Sequence, residues 1–248
     1  MPHWEVALDA HTPEPPQSAR IRGTFLRLMS HELRTPLTSI RGYSELLVTG
    51  RAGPLSDQQQ RMVTMIDLSA VRLHGVVEDL IVVASLDAGD FRLRLEPTRL
   101  AAVVARAADE VATTARDAGV TISPDVAADL VVAADPRHLQ RALSNLLTAA
   151  VASCPGGGTV AVTATGAAPV AVVIGSGPGG RLDQLLARFL GAGPVDPADL
   201  DGAGVGLAVA RAVVEHHGGR LEVTSDAGAG TRIAVTLPAA DVPSRRHQ

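Results

Sequence analysis

The chain has 248 residues, which is enough for two modest domains. Hydrophobic residues make up 46% of it and aromatic residues only 2%, so its cores must be built from aliphatic side chains. The formal net charge of −4 comes from 22 basic and 26 acidic residues spread along the chain, and direct nucleic-acid binding is therefore not expected. No apolar run is long enough to span a membrane and no secretory signal is present, so the sequence predicts a cytoplasmic protein.

The first part of the chain is predicted to be a flexible leader followed by two helices. Residues 1–19 contain several prolines and show no helical or strand period. Apolar residues recur at three- and four-residue steps from Ile21 to Val48, and again from a predicted N-cap at Ser56 to about Leu86. A short connection makes the pair an antiparallel hairpin. Since a lone hairpin has little on which to bury both apolar stripes, we expect a second copy to complete a four-helix bundle.

After Gly89 the pattern changes to short strands and helices, which marks a second domain. Asp135 and Pro136 are predicted as the N-cap and first residue of one of its helices. The other predicted elements are strands near 91–95, 120–122, 130–133, 160–164 and 170–174, helices near 100–116, 182–189 and 204–216, and a hairpin over 221–237. We therefore expect an α+β chain, with the hairpin domain over residues 20–89, an α/β sandwich over 90–238 and a tail over 239–248.

The segment around His31 carries the most specific signal. It reads Met-Ser-His-Glu-Leu-Arg-Thr-Pro-Leu over residues 29–37 and continues as Ile-Arg-Gly-Tyr-Ser-Glu-Leu over 40–46. This segment closely resembles the phosphoacceptor box of the sensor histidine kinases of two-component systems. The resemblance implies that His31 accepts a phosphoryl group and that Glu32 is the base that receives the imidazole proton. It also implies that Thr35 orients a water for removing phosphate from a response regulator.

The alternative interpretation of this segment is a solvated helix histidine followed by a proline that ends the helix. The surrounding motif outweighs that interpretation. Pro36 has no N–H and crowds the carbonyl one turn earlier, so we expect the helix to bend there. The remaining histidines have no comparable context and are predicted to be surface residues without metal-ligand spacing: His3, His11, His74, His138, His216, His217 and His247.

The resemblance extends over residues 20–238, because two glycine-rich segments of the second domain also match the family. Residues 202–207 look like a glycine box at the start of a helix, and residues 228–231 look like the closing box before the last strand. Glycines let backbone amides approach a phosphate, and a helix N-terminus favours negative charge. The resemblance therefore implies an ATP-binding sandwich of the histidine kinase and gyrase type, with residues 191–203 as its lid. The implied nucleotide contacts are Gly177, Gly179, Gly202, Gly204, Gly206, Leu207 and Thr231.

Two residues that the family pattern expects are missing. Asn145 matches the first asparagine of the helix that binds Mg²⁺, but Ala149 stands at the position of the second. Gly175 stands where an aspartate normally accepts the amino hydrogen of adenine. Losing a hydrogen bond to a charged group weakens binding by about tenfold to a hundredfold. ATP and Mg²⁺ are the implied cofactors, with Asn145 as the catalytic-helix residue that remains to hold the metal.

Three functions follow from these patterns. The first is a homodimeric sensor kinase that phosphorylates His31 and passes the phosphoryl group to an aspartate of a response-regulator receiver domain. The second is a degenerate kinase that acts as a phosphatase, phosphoacceptor or regulator-binding scaffold, alone or in a heterodimer with another histidine kinase. Gly175 and Ala149 favour this second function. The third is an ATPase of the gyrase and chaperone type, which would not need the box around His31.

Overall fold

The computed structural model of the chain describes residues 17–166, 169–176, 202–226 and 230–239. The chain divides into two compact units, a helical unit over Met1–Phe91 and an α/β unit over Arg92–Gln248. All of the described strands belong to the second unit, so the architecture is α+β as predicted. Among the described residues, no helix has both the length and the apolar character needed to cross a lipid bilayer.

The helical unit is a hairpin of α1 (Gln17–Val48) and α2 (Asp57–Asp87). The predicted cap of α2 is confirmed, because the Ser56 hydroxyl accepts from the backbone N–H of Gln59 while the Gln59 side chain accepts from the N–H of Ser56. Two contacts fix the antiparallel direction. Near the loop Gln60 donates to the Val48 carbonyl, and far from it Arg34 pairs with Glu78.

The strands of the α/β unit are β1 (Glu96–Arg99), β2 (Thr121–Asp125), β3 (Val131–Ala134), β4 (Thr159–Thr165), β5 (Val170–Ser176), β6 (Arg220–Asp226) and β7 (Gly230–Leu237). Five of them form a mixed sheet in the order β2-β4-β5-β7-β6. Strand β2 pairs with β4 in parallel, and the other neighbours are antiparallel. A separate pair of short strands, β1 and β3, is antiparallel.

Three helices cover one face of this sheet: α3 (Leu100–Asp117), α4 (Pro136–Ser153) and α5 (Gly202–His216). The residues of the covered face alternate along the strands and are buried, as a half-buried sheet requires. They include Val160, Val162, Val172, Ile174, Ile233 and Val235, all at most 1% exposed. One layer of helices on one sheet is the predicted α/β sandwich.

One predicted strand is wrong. Residues 91–95 form no strand, and the first strand of this unit is β1, whose register pairs Glu96 with Ala134 and Arg99 with Val131. Its partner β3 ends at Ala134 because Asp135 caps the next helix, so residues before Glu96 have no strand to pair with. The predicted helix near 182–189 and the predicted lid up to residue 201 lie outside the described residues.

Candidate functional site

The start of α5 lies at the end of the sheet where β5 ends and β7 begins. Helix α5 has 15 residues and β6 has 7, and they are joined by a tight turn in which Gly218 has a positive φ of 73°. At about 1.5 Å per helical residue and 3.3 Å per strand residue both elements are roughly 22–23 Å long. They pack against each other and run in opposite directions, so the N-terminus of α5 returns to the end of the sheet that holds Ser176 and Thr231.

Asn145 on α4 holds this helix start in place. Its side-chain N–H donates to the backbone carbonyl of Gly206 over 3.0 Å. A Cβ at Gly206 would lie 3.1 Å from Asn145 Cγ, so the close approach of α4 and α5 favours glycine at that position. Gly204 and Gly206 are buried and Leu207 is 1% exposed, which places the predicted glycine box against α4. Gly202 begins α5, while Gly177 and Gly179 lie outside the described residues.

Thr231 lies beside a buried serine that the sequence patterns did not single out. Thr231 is 3% exposed and pairs in register with Ser176, the last residue of β5. Ser176 is 5% exposed, and its hydroxyl has no hydrogen-bond partner among the described residues. The signal for Ser176 is the two-residue period of β5, in which it follows Val172 and Ile174 on the covered face.

The two residues that depart from the family pattern have different surroundings. Gly175 lies on the opposite, partly exposed face of β5, and a Cβ added there would meet no atom within 4 Å. Ala149 lies one turn after Asn145 and is only 6% exposed, and a methyl group offers Mg²⁺ no ligand. Among the described residues no cluster of three or more His, Cys, Asp or Glu side chains could hold a metal ion. Of the two positions at which the family pattern expects a metal ligand, only Asn145 therefore keeps a side-chain oxygen that could bind Mg²⁺.

At their other ends α4 and α5 are joined by Asp135 and His217. The Asp135 N–H donates to His217 Nε2 over 3.0 Å, and His217 Nδ1 lies 2.7 Å from the Val213 carbonyl. Because a carbonyl only accepts, Nδ1 carries the proton and the imidazole is neutral. Burial lowers the pKa of His217 below its ordinary 6.5, although its hydrogen bond to the Val213 carbonyl and the charge of Asp135 oppose that shift.

The prediction that His217 is a surface residue is therefore wrong, since only 2% of it is exposed. Its position was predictable in principle, because it continues the buried three- and four-residue steps of α5 after Ala210, Val213 and Val214. Of the other histidines, His216 is exposed and His74 and His138 are half-buried. His3, His11 and His247 lie outside the described residues.

Asp135 caps α4, as predicted. Its carboxylate accepts from the backbone N–H groups of Arg137, His138 and Arg94. Burial pushes the pKa of Asp135 upward, but the hydrogen bonds from Arg94 and His138 and the charge of His138 outweigh it, so the net pKa is lowered. This end of the α4–α5 pair is closed by its own hydrogen bonds.

On the helical unit the predicted phosphoacceptor segment lies within α1, and the helix continues through Pro36. The side chain of His31 is outside the described part of the structure, whereas Glu32 and Thr35 are both exposed. Arg34 bonds Glu78 of α2 through Nε at 3.0 Å and Nη2 at 2.6 Å, which ties the two helices together beside this segment. The bend expected at Pro36 stays a prediction.

Large apolar side chains remain exposed along both helices of the hairpin. Tyr43 is 70% exposed and Met65 is 62% exposed. The others are Leu33, Ile40, Leu46, Val48, Met62, Ile66, Leu73 and Val76. Four of these side chains, Ile40, Met65, Ile66 and Leu73, line one groove of the hairpin, and an exposed apolar cluster is typical of an interaction face.

Comparisons with known proteins agree with these features. The sequence matches the His Kinase A (phospho-acceptor) domain family over residues 21–89. It matches the histidine kinase-, DNA gyrase B- and HSP90-like ATPase family over residues 134–241.

Similar proteins cover most of this chain. It is 34% identical over 243 residues to an uncharacterised sensor-like histidine kinase of Rhizobium meliloti (strain 1021), which covers 94% of this chain and 46% of that protein. It is 34% identical over 242 residues to the histidine protein kinase DivJ of Caulobacter vibrioides, and the match covers 95% of this chain and 40% of DivJ. The crystal structure of full-length ShkA in complex with AMPPNP is similar to this chain, with a TM-score of 0.59 and 26% identity. The match covers 88% of this chain and 46% of the ShkA chain. The chain thus spans less than half the length of these relatives.

Proposed function

The chain belongs to the sensor histidine kinases of two-component systems, and on that premise we propose that it transfers the γ-phosphoryl group of ATP to His31. The phosphoryl group then passes to an aspartate of a response-regulator receiver domain. The observation that carries the proposal is the hydrogen bond from Asn145 to Gly206, because it holds a glycine-rich helix start at the sheet end beside Thr231. The phosphoacceptor segment lies on the same chain, and we place the protein in the cytoplasm.

The acceptor chemistry needs only two side chains of α1. One ring nitrogen of neutral His31 attacks the γ-phosphorus, so that an N–P bond forms while the P–O bond to ADP breaks. The proton on the other ring nitrogen leaves to the carboxylate of Glu32, which is exposed and adjacent in sequence. Exposure of this part of α1 is required, because a nucleotide and later a receiver domain must reach His31 in turn.

The nucleotide would be held at the start of α5. The glycines at the start of this helix let the backbone approach a phosphate, and the helix dipole favours negative charge there. ATP supplies the phosphoryl group when it is bound. Asn145 is the residue that would hold Mg²⁺, an ion that usually takes its remaining ligands from water and phosphate oxygens.

The exposed apolar side chains of the hairpin support a homodimer. Leu37 and Ala70 are 4% exposed, so the two helices of one chain bury only a narrow seam between them. The stripe that includes Ile40, Met65 and Ile66 stays open to solvent, and a second copy would bury it in a four-helix bundle.

A second candidate function is favoured by Ala149 and Gly175, which cannot supply the missing metal and base ligands. In that case the hairpin would act as a phosphatase, phosphoacceptor or regulator-binding scaffold, in a homodimer or in a heterodimer with another histidine kinase. Thr35 is exposed one turn after His31, where its hydroxyl can orient a water toward a phosphorylated receiver.

The two functions are separated by incubating the purified chain with γ-labelled ATP and Mg²⁺. The proposed kinase gives a label that is acid-labile and base-stable, is lost in His31→Gln, and is retained in His74→Gln, the matched histidine control on α2. If neither wild type nor the His74→Gln control takes up label although both are folded dimers, the result supports the phosphatase or scaffold function. Removal of phosphate from a receiver domain should then fall in Thr35→Ala but not in Thr38→Ala, an exposed threonine on the same helix.

A further inference from the structure

The residue that contacts the nucleotide base must lie on the helix-covered face of the sheet. Asn145, Gly204 and Gly206 all lie on that side, because α4 and α5 cover it. A side chain on the other face of β5 would point away from any nucleotide bound at the start of α5.

Strand β5 alternates strictly between the two faces. Val170, Val172, Ile174 and Ser176 are at most 5% exposed and lie on the covered face. Gly175 lies between the last two and belongs to the outer face. In the sequence motif, Gly175 stands two residues before Gly177, where the family has its base-binding aspartate. The two-residue period of the strand instead places Ser176 on the helix-covered face, where a residue can contact the base.

The Ser176 hydroxyl is itself unusual. It is buried at the end of the central strand and has no hydrogen-bond partner among the described residues. Buried hydroxyl groups are almost always hydrogen-bonded, because an unpaired one loses its water without compensation. Its cross-strand neighbour Thr231 is also buried, and paired residues of antiparallel strands have Cα atoms about 4.5–5.5 Å apart. Two hydroxyl side chains therefore line the sheet end beside the glycine-rich helix start.

We propose that Ser176 anchors the base of the bound nucleotide in place of the family's carboxylate, and that the site consequently accepts guanine as well as adenine. A carboxylate only accepts hydrogen bonds, so it pairs with the amino group of adenine and repels the carbonyl oxygen at the same position of guanine. A hydroxyl both donates and accepts, so it can pair with either group. Ser176 thus weakens the anchor and relaxes the choice of purine. This proposal rests on nucleotide binding by the proposed kinase.

The test is the dissociation constant of ATP and of GTP, each with Mg²⁺, measured by calorimetry on the full chain and on neighbouring variants. Ser176→Ala should weaken both nucleotides by about threefold to tenfold, the value of one neutral hydrogen bond. Ser176→Asp should strengthen ATP by about tenfold or more and weaken GTP. Gly175→Asp, whose side chain has open space, should bind both nucleotides like wild type.

Ser153→Ala is the matched control, because Ser153 is a buried serine of the same unit whose hydroxyl donates to the Ala149 carbonyl. The proposal is overturned if Ser176→Ala binds both nucleotides like wild type, as expected if Ser176 only holds a structural water. It is also overturned if Gly175→Asp is the variant that gains ATP affinity.

If wild type binds neither nucleotide, the proposed kinase function fails on that result alone. A gain of ATP binding in Ser176→Asp then still supports the anchor position, and no gain overturns it. If Ser176→Asp does not fold, the loss of affinity by about threefold to tenfold expected for Ser176→Ala decides the proposal instead.

Discussion

The two ends of the α4–α5 pair are built for different purposes. At one end the Asp135 N–H and the His217 imidazole satisfy each other, and both residues are buried. At the other end, about 15 Å away along α4, Asn145 donates to Gly206 while the nearby Ser176 hydroxyl has no partner among the described residues. A closed hydrogen-bond network contributes to stability, whereas an open one is available to a ligand. We therefore assign the Asp135–His217 end of the α/β unit to support of the fold and propose the Asn145–Ser176 end as the part that binds.

The largest effect should come from breaking the closed end. His217→Phe keeps the volume of the ring but removes the acceptor of the buried Asp135 N–H, so the free energy of unfolding should fall by about 1–3 kcal/mol. Urea unfolding at pH 7.5 measures this, with His216→Phe on the exposed neighbouring position as the control. A free energy of unfolding equal to that of wild type would show that the two ends do not differ in the way described.

The pH dependence of stability sharpens the same contrast. Because burial lowers the pKa of His217 in the folded chain, the unfolded chain takes up the proton first as the pH falls through about 6.5. The free energy of unfolding should therefore decrease below that pH, and the decrease should be absent in His217→Phe and present in His216→Gln. The lowered pKa of Asp135 adds a second loss only in stronger acid, below the ordinary carboxyl value of 3.8. Urea unfolding across the pH range checks both steps.

The smallest stability effect should come from the open end. Asn145→Ala removes the half-buried hydrogen bond to Gly206, so the free energy of unfolding should fall by about 0.5–1.5 kcal/mol. Nucleotide affinity should fall more, since the same change releases the start of α5 and removes the residue proposed to hold Mg²⁺. Parallel unfolding and calorimetric binding measurements compare the two. A variant that loses stability but binds ATP like wild type would assign Asn145 to the fold alone.

Local signals in the sequence predicted much of this fold because they are physically self-contained. The Ser56 and Asp135 caps depend on residues within one helical turn, and both are observed. The glycine box is also local, and it opens α5 near the predicted helix start, whereas its contact with Asn145 was not predicted. The functional roles of these residues remain predictions.

Features that depend on distant partners were not predicted. The first strand begins at Glu96 rather than near Phe91 because its partner β3 sets the register. The buried position of His217 follows the local period of α5, but the hydrogen bond that makes a histidine suitable there comes from Asp135, far away in sequence. Ser176 was missed because counting glycines ignores the two-residue period of β5, and its pairing with Thr231 joins residues far apart in sequence.

The most direct test of this account is amide hydrogen exchange of the full chain with and without ATP and Mg²⁺. ATP should slow exchange at the start of α5, over residues 202–207, and at the adjoining strand ends near Ser176 and Thr231. Exchange at the Asp135–His217 end should not change. Slower exchange confined to the cleft lined by Arg92, Arg94 and Arg137 at the start of α4 would contradict it. No change at any position would contradict it as well.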